Sequence, residues 1–248
     1  MSSPLPSTSS SPTLSVRFYR PEDRPRIRQL CADTGFLGNP IDPIFQDREL
    51  FADFLTAYYT DKEPESALVC EVDGVVKGYL IGSRFPFRQK IYNLLHAPLL
   101  ALKILIRWKT YNQATRNYLR WLIQRGKKET PFTPKGIPHF HINLLPEARN
   151  VANTRALIDA FLHYLHQHNE KAVYGQIVTF DTRRGTRMFE RYGFKVLDSR
   201  EITKYRALYP KPVFLYTVIK DLTINPTLYG YDLARPHKTT APTPEPQV

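Results

Sequence analysis

The sequence predicts an α/β protein built on a mixed β-sheet, and three observations carry that prediction. Strand-like and helix-like segments alternate between Phe140 and Tyr192, the pattern of strand–helix–strand units. Asp73-Gly74 separates two apolar runs, residues 67–72 and 75–83, and Asp-Gly is a favoured two-residue hairpin turn. The chain then closes on two further strand-like runs, Phe194–Thr203 and Val213–Ile219, which suit an antiparallel pair.

The elements follow in order. Leu14 to Tyr19 alternates apolar and polar side chains, as a half-buried strand does. Arg20-Pro21-Glu22-Asp23 reads as a turn with acidic helix-starting residues, and Ile27, Leu30 and Cys31 fit a short helix behind it. The stretch Gly35-Phe36-Leu37-Gly38-Asn39-Pro40 breaks the chain. Leu50, Phe51, Phe54, Leu55, Tyr58 and Tyr59 recur at helical spacing, which predicts a helix from about Asp47 to Tyr59. After the hairpin, Pro98 suits a first helical turn, and the apolar and aromatic residues from Leu99 to Ile123 fit one or two helices. Residues 126–138 read as a linker. A strand over Phe140–Leu145, an amphipathic helix over Val151–His168, a strand over Ala172–Thr179 and a short helix over Thr182–Tyr192 complete the series.

The net charge is +12, and it is unevenly placed. Between Gly74 and Lys128 there is no Asp or Glu, while Lys77, Arg84, Arg88, Lys90, Lys103, Arg107, Lys109, Arg116, Arg120, Arg125, Lys127 and Lys128 all fall in that window. Residues 33–65 are instead acidic, with Asp33, Asp42, Asp47, Glu49, Asp53, Asp61, Glu63 and Glu65 against Arg48 and Lys62. Two readings are open: solvated faces, or one anion-attracting and one cation-attracting surface. A uniformly basic nucleic-acid binder has no need of the acidic stretch. Trp108, Tyr111, Tyr118 and Trp121 stand at helix-packing spacing rather than on a stacking sheet, so no nucleic-acid partner is expected.

Composition excludes other classes. Two cysteines, Cys31 and Cys70, make neither a disulfide framework nor a Cys-rich zinc module. No apolar run approaches the ~20 residues of a membrane-spanning helix. The first thirty residues lack a basic start followed by an apolar stretch, so no secretory signal is expected and the location expected is cytoplasmic. Residues 1–14 and most of 223–248 are rich in Pro, Ser and Thr, and read as disordered extensions.

Two segments carry chemistry. Residues 144–157 read LLPEARNVANTRAL, and residues 182–194 read TRRGTRMFERYGF. The first resembles the acyl-CoA loop of the GNAT acetyltransferase superfamily, P-E-x-R/Q-x-x-G-x-G/A ahead of a helix. The second resembles that family's N-x-x-A-x-x-L-Y-E-K-x-G-F. With the opening strand, the hairpin and the closing Tyr216 and Lys220, the resemblance covers about residues 15–222. It implies a GNAT-like twisted mixed sheet flanked by helices, with residues 84–130 as a helical insertion between the third and fourth strands. It also implies an acyl-CoA-dependent N-acetyltransferase, with acetyl-CoA as co-substrate, no metal, and a small-molecule or peptide amine as acceptor.

The resemblance further implies roles for single residues. The backbone at Leu144 and Leu145 would pair with the pantetheine arm, and Arg149, Asn150, Val151, Ala152, Asn153 and Thr154 would form the pyrophosphate cradle. An ordinary helix cap by Asn150 or Asn153 explains the same residues. Thr182 and Arg184 fall in the second motif as cofactor-binding candidates, and Arg183, Arg184 and Arg187 either reach the outlying phosphate of CoA or lie on a solvated helix face.

There are departures. Ala152 and Thr154 replace glycines, Thr182 an Asn and Gly185 an Ala. Phe189 stands where many members carry the Tyr that protonates the departing thiolate. Tyr192 lies three residues on and is the nearest hydroxyl. Loss of that Tyr and both loop glycines motivates an alternative, a non-catalytic acyl-CoA-binding or adaptor protein on the same fold.

For a base, His139 and His141 alternate on one strand and so share a face, although a packed histidine bonded to backbone is the simpler account. Glu147 is a further candidate. His163, His166 and His168 do not share one helix face, so they are not read as metal ligands. For the basic stretch 84–128 three accounts compete: a lid over the acceptor cleft, a homodimer interface, or a peripheral anchor on anionic membrane.

Overall fold

The computed structural model describes residues 13–180 and 187–224. Seven strands form one sheet: β1 (Leu14–Phe18), β2 (Ala67–Val72), β3 (Val75–Ser83), β4 (His139–Leu144), β5 (Ala172–Thr179), β6 (Lys195–Glu201) and β7 (Phe214–Asp221). Their order is β1-β2-β3-β4-β5-β7-β6. Every pair is antiparallel except β4 with β5. The hairpin falls at the expected dipeptide, with Asp73 at φ 52° and Gly74 at φ 75°, both in the left-handed region a type I′ turn requires.

Helices α1 (Arg24–Asp33), α2 (Arg48–Asp61), α3 (Pro86–Arg107), α4 (Gln113–Gln124) and α5 (Gly126–Glu129) come before β4; α6 (Val151–Gln167) follows β4 and α7 (Arg187–Arg191) follows β5. Side-chain caps fix three of the starts. Asp47 accepts the amide of Leu50, Asn112 that of Thr115 and Asn150 that of Asn153.

The two faces of the sheet carry separate apolar cores. One holds α1, α2 and the insertion, with Ile27, Leu30, Tyr59, Val69, Tyr79 and Ile81 at its centre. The other holds α6, with Leu68, Leu80, Phe140, Leu157, Phe161 and Val173. Close approach of α6 is set at Gly82, where a Cβ would lie 2.2 Å from the Phe161 ring.

The insertion departs from the expectation in two places. Pro98 does not start a helix; it lies inside the 22-residue α3, which begins at Pro86. An internal proline loses a backbone hydrogen bond and costs about 3 kcal/mol. Packing overrides that cost: Leu100 is buried, and Tyr92 and Ile104 pack on the first core while Pro98 stays exposed. The stretch 126–138 is also not all linker, because its first four residues form α5. Glu129 in α5 accepts from Trp121 Nε1, from the amide of Thr203 and from Thr203 Oγ1, so α4, α5 and the β6–β7 loop are clasped together. Beside this clasp the Lys204 ammonium sits over the rings of Tyr118, Trp121 and Tyr205.

The acidic segment is not a free cation-attracting surface. Asp47 pairs with Arg107, Asp53 with Arg28 and Lys103, Asp61 with Arg24, and Asp33 and Asp42 with Arg48. Much of it therefore docks α2 against α1 and the insertion. These cations hold the carboxyls of Asp47, Asp53 and Asp61 below the usual carboxylate range, against the opposing effect of burial.

Candidate active site

Strand β4 is paired along its whole length with β3, from His139 opposite Ser83 to Leu144 opposite Gly78. Its pairing with β5 is far shorter: only His139 with Tyr174 and Phe140 with Gly175. Beyond Phe140 the strands diverge, and β5 pairs instead with β7 along all eight of its residues. The result is a wedge open between residues 141–144 and 176–179.

Strand alternation decides which backbone groups face it. The amide of Leu145 bonds the Lys77 carbonyl on β3, so residues 141, 143 and 145 turn their polar groups toward β3. Ile142 and Leu144 turn theirs toward the wedge. The Leu144 carbonyl there accepts from Arg149, and the other groups have no strand opposite them, so the wedge is open to pair with something else.

Helix α6 starts at the end of β4. Asn150 Oδ1 takes the Asn153 amide at 2.8 Å, Thr154 Oγ1 donates to the Asn150 carbonyl at 2.8 Å, and Asn153 Nδ2 donates to the Ala148 carbonyl. The cap is thus complete in its own right. The amides of Val151 and Ala152 occupy the first turn, where a helix has no internal acceptor for them, and both side chains there are exposed. Unpaired first-turn amides with the positive end of the helix dipole favour an anion.

Arg149 is directed away from the helix start. Its guanidinium donates to the carbonyls of Gly38 and Leu144, at 2.7 and 3.1 Å. It therefore bridges the α1–α2 loop to the end of β4. Gly38 has φ 87° and no room for a Cβ, which would lie 2.5 Å from Arg149 Nη1. Leu144 is buried on the α6 side, and Leu145 packs against the opposite core.

The two histidines share a face, as alternation requires, with ring centroids 5.6 Å apart. Tyr59 of α2 meets both, and its hydroxyl lies 2.9 Å from His139 Nε2. Gln89 Nε2 of α3 donates to the same hydroxyl at 2.7 Å. The donor in the Tyr59–His139 bond depends on the ring tautomer, and the second ring nitrogen, Nδ1, points away from Tyr59. That Nδ1 is buried without a hydrogen-bond partner, as are Gln176 Nε2 of β5 and Thr217 Oγ1 of β7. Gln176 and Thr217 are cross-strand partners, and Tyr174 stacks on His139, so these groups line one side of the sheet beside the wedge.

Burial pushes the His139 imidazole down to about 3, aided by its neighbour, and burial pushes His141 down to about 4. Both rings are neutral in the folded protein at neutral pH. In the unfolded chain they titrate near 6.5 and bind protons that the folded chain refuses. Stability should therefore fall as the pH drops from about 6.5 toward 4, with a slope approaching about 1.4 kcal/mol per pH unit for each ring. Urea midpoints at a series of pH values check this. His139→Asn should flatten the slope, and an unchanged slope counts against the buried neutral ring.

The remaining sequence candidates are scattered. Glu147 is exposed, and its carboxylate is held below the usual range mainly by a backbone amide and then by Lys77, 3.1 Å away. Tyr192 is buried in the α6-side core, where its carbonyl accepts from Lys220 Nζ at 2.8 Å. Phe189, at the motif position, is buried beside Phe194. Thr182, Arg183 and Arg184 lie outside the described residues. Among the described residues, no three His, Cys, Asp or Glu side chains converge as a metal site requires.

Sequence reasoning missed Tyr59, which reads as one more core residue in the α2 stripe. It also missed a contact between two loops far apart in the chain. Phe36 of the α1–α2 loop packs on Tyr205 of the β6–β7 loop, with ring centroids 5.6 Å apart. Asn143 Nδ2 donates to Thr34 Oγ1.

Comparison with known proteins places this architecture. No family model and no curated protein sequence matches the chain. Among solved structures, the chain is similar to SsHAT, at 24% identity and a TM-score of 0.54, over 85% of this chain and 98% of that one. It is also similar to yncA from Salmonella typhimurium, a proposed acetyltransferase solved with its cofactor acetyl-CoA. There the identity is 14% and the TM-score 0.50, over 84% and 94% of the two chains. The chain has a GNAT-like fold, with a helical insertion between β3 and β4.

Proposed function

We propose that this protein is an acyl-CoA-dependent N-acyltransferase that moves an acetyl group from acetyl-CoA to a primary amine. The observation that carries the reading is the wedge: β4 leaves β5 after two paired residues, and α6 starts at its open end. The polar backbone of Ile142 and Leu144 pairs with the amides of the pantetheine arm, and the Val151 and Ala152 amides take the pyrophosphate. The acceptor enters from the Phe36–Tyr205 side. Its amine attacks the thioester carbonyl carbon directly; the C–N bond forms, the C–S bond breaks, and the amine proton passes to His141. A thiol with an ordinary value of about 8.5 leaves as thiolate without a dedicated acid, so Phe189 at the motif position is no obstacle.

Arg149 serves the cradle by positioning: bonded to the carbonyls of Gly38 and Leu144 rather than aimed at the α6 start, it holds the end of β4 that leads into the helix. Arg149→Ala should weaken acetyl-CoA binding by about 1.5–3 kcal/mol while the fold persists. Calorimetry measures both proteins. No heat from the wild type at millimolar acetyl-CoA removes the acyl-CoA reading, and an unchanged Kd in the variant removes Arg149 from the cradle. Thiol release with a panel of polyamines, amino sugars, peptides and aminoacyl compounds separates catalysis from mere binding. Binding without release from every amine would favour the adaptor reading.

A further inference from the structure

Helix α3 is amphipathic the wrong way round for a helix on a protein surface. Its inner side is anchored by Tyr92, Leu100 and Ile104. At 100° per residue, its outer side brings together Phe87, Leu94, Leu95, Leu102, Leu105 and Ile106. Their exposures are 74, 74, 70, 54, 71 and 73%. A soluble helix turns charged and polar residues outward, and contiguous apolar patches of this kind mark interaction sites. The face runs the full length of α3, about 33 Å at 1.5 Å per residue.

Charge selects the occupant. Lys103 and Arg107 point toward α2 and are matched by Asp53 and Asp47. Arg88 and Lys90 flank the apolar face on its two sides, and neither is paired with a carboxylate among the described residues. The chain from Gly74 to Lys128 contains no acid at all. A second copy docked by two-fold symmetry brings this basic surface against itself, and like charges oppose that. An anionic bilayer satisfies both properties, because acyl chains take the apolar stripe and headgroups take the cations. No helix among the described residues is long and apolar enough to cross a membrane, so the contact is in-plane.

We infer that α3 is a peripheral membrane anchor that lies in the interface of an anionic bilayer, with residues 87–106 inserted on their outer side. The proposal does not depend on the acyltransferase reading, since only the inner side of α3 reaches the site, through Gln89 and Tyr59, and the outer face does not.

The test is co-sedimentation of the full chain with phosphatidylcholine vesicles, with and without phosphatidylserine, over a range of salt. The expected result is sedimentation with the phosphatidylserine vesicles at low salt that weakens as salt rises. Leu95→Glu with Ile106→Glu removes two exposed side chains, so the fold should persist by circular dichroism. It should lower partitioning by about tenfold or more. Lys90→Glu should lower it several-fold and reduce its salt dependence. Absence of wild-type sedimentation at low salt overturns the proposal, as does equal sedimentation of wild type and the double variant. A concentration-dependent dimer, abolished by the double variant and indifferent to vesicles, overturns it in favour of a second copy.

Discussion

Replacing Glu63 with alanine is expected to cost about 3–5 kcal/mol of stability, the largest effect of any single change considered for this protein. Glu63 is fully buried, yet no cation pairs with it among the described residues. Instead its two oxygens collect four donors. Tyr58 Oη and Ser83 Oγ reach Oε2 at 2.8 and 2.7 Å, and Ser66 Oγ and the Arg84 amide reach Oε1 at 2.8 and 2.5 Å. Those donors come from α2, from the entry to β2, from the end of β3 and from the approach to α3. One carboxylate therefore ties three segments, α2, the entry to β2 and the turn from β3 into α3, at one corner of the sheet. Burial and this carboxylate also push the Tyr58 phenol up, so it stays a donor throughout the ordinary pH range. Alanine leaves the Arg84 amide and the Ser83 hydroxyl proton without their acceptor, each at about 1–3 kcal/mol before relaxation, and leaves Tyr58 and Ser66 only longer contacts to the Phe85 carbonyl at 3.5 Å and the Tyr164 hydroxyl at 3.2 Å. Glu63→Gln keeps the shape but turns an amide N–H₂ toward hydroxyls and a backbone amide, so it should recover only part of the loss. Urea unfolding with a fixed m-value gives the comparison. A loss below about 1 kcal/mol for alanine would show that the corner is held by apolar packing alone.

His141→Ala should reduce turnover about 10²-fold and leave the affinity for acetyl-CoA nearly unchanged. His141 stands on β4 at the first residue past the last β4–β5 pair, so it sits where the wedge opens. Its ring faces the α1–α2 side with Tyr59. Because burial pushes it down to about 4, the imidazole is unprotonated at neutral pH, and the same burial makes it a weaker base than an ordinary histidine. The acid limb of the kcat/KM profile should accordingly lie below the ~6.5 of an ordinary histidine. Thermal unfolding of the same variant supplies the control. A variant with lowered Tm and normal turnover at low temperature would reduce His141 to a packing residue.

Local signals were legible wherever a few neighbouring residues decide the conformation. Asp73-Gly74 placed the hairpin because both positions need positive φ, and Asn150 placed the start of α6 because its side chain reaches the third helical amide. What sequence could not show was partnership across the chain. The acids of residues 33–65 read as a surface of one sign, whereas Asp53 and Asp47 meet Lys103 and Arg107 some fifty to sixty residues away. Glu63 looked like one more of those surface acids, and nothing in its neighbourhood marks it as buried. Pro98 misled for a related reason: a local rule places proline at helix starts, but tertiary packing of Tyr92, Leu100 and Ile104 carries the helix through it. Motif spacing put the loop at the α6 start, and strand alternation put the two histidines on one face. It did not reveal that Arg149 is bound to Gly38, because a 111-residue separation leaves no local trace.

The narrow junction between β4 and β5 also bears on how the molecule holds together. In the strand ladder, one half of the sheet, β1 to β4, is joined to the other, β5 with β7 and β6, by only the His139–Tyr174 and Phe140–Gly175 pairs, although both halves share the core under α6. At that point Gly175 lets the Phe140 ring pack against the backbone, where a Cβ would lie 3.2 Å away. Two well-zipped blocks in series with a two-residue joint do not share their backbone cooperativity. The β1–β4 block can close its hydrogen bonds without waiting for the C-terminal block, which is also the order in which a ribosome delivers them. The joint confines strain from any spreading of the wedge to four residues, so the sheet can flex there while both ladders stay intact.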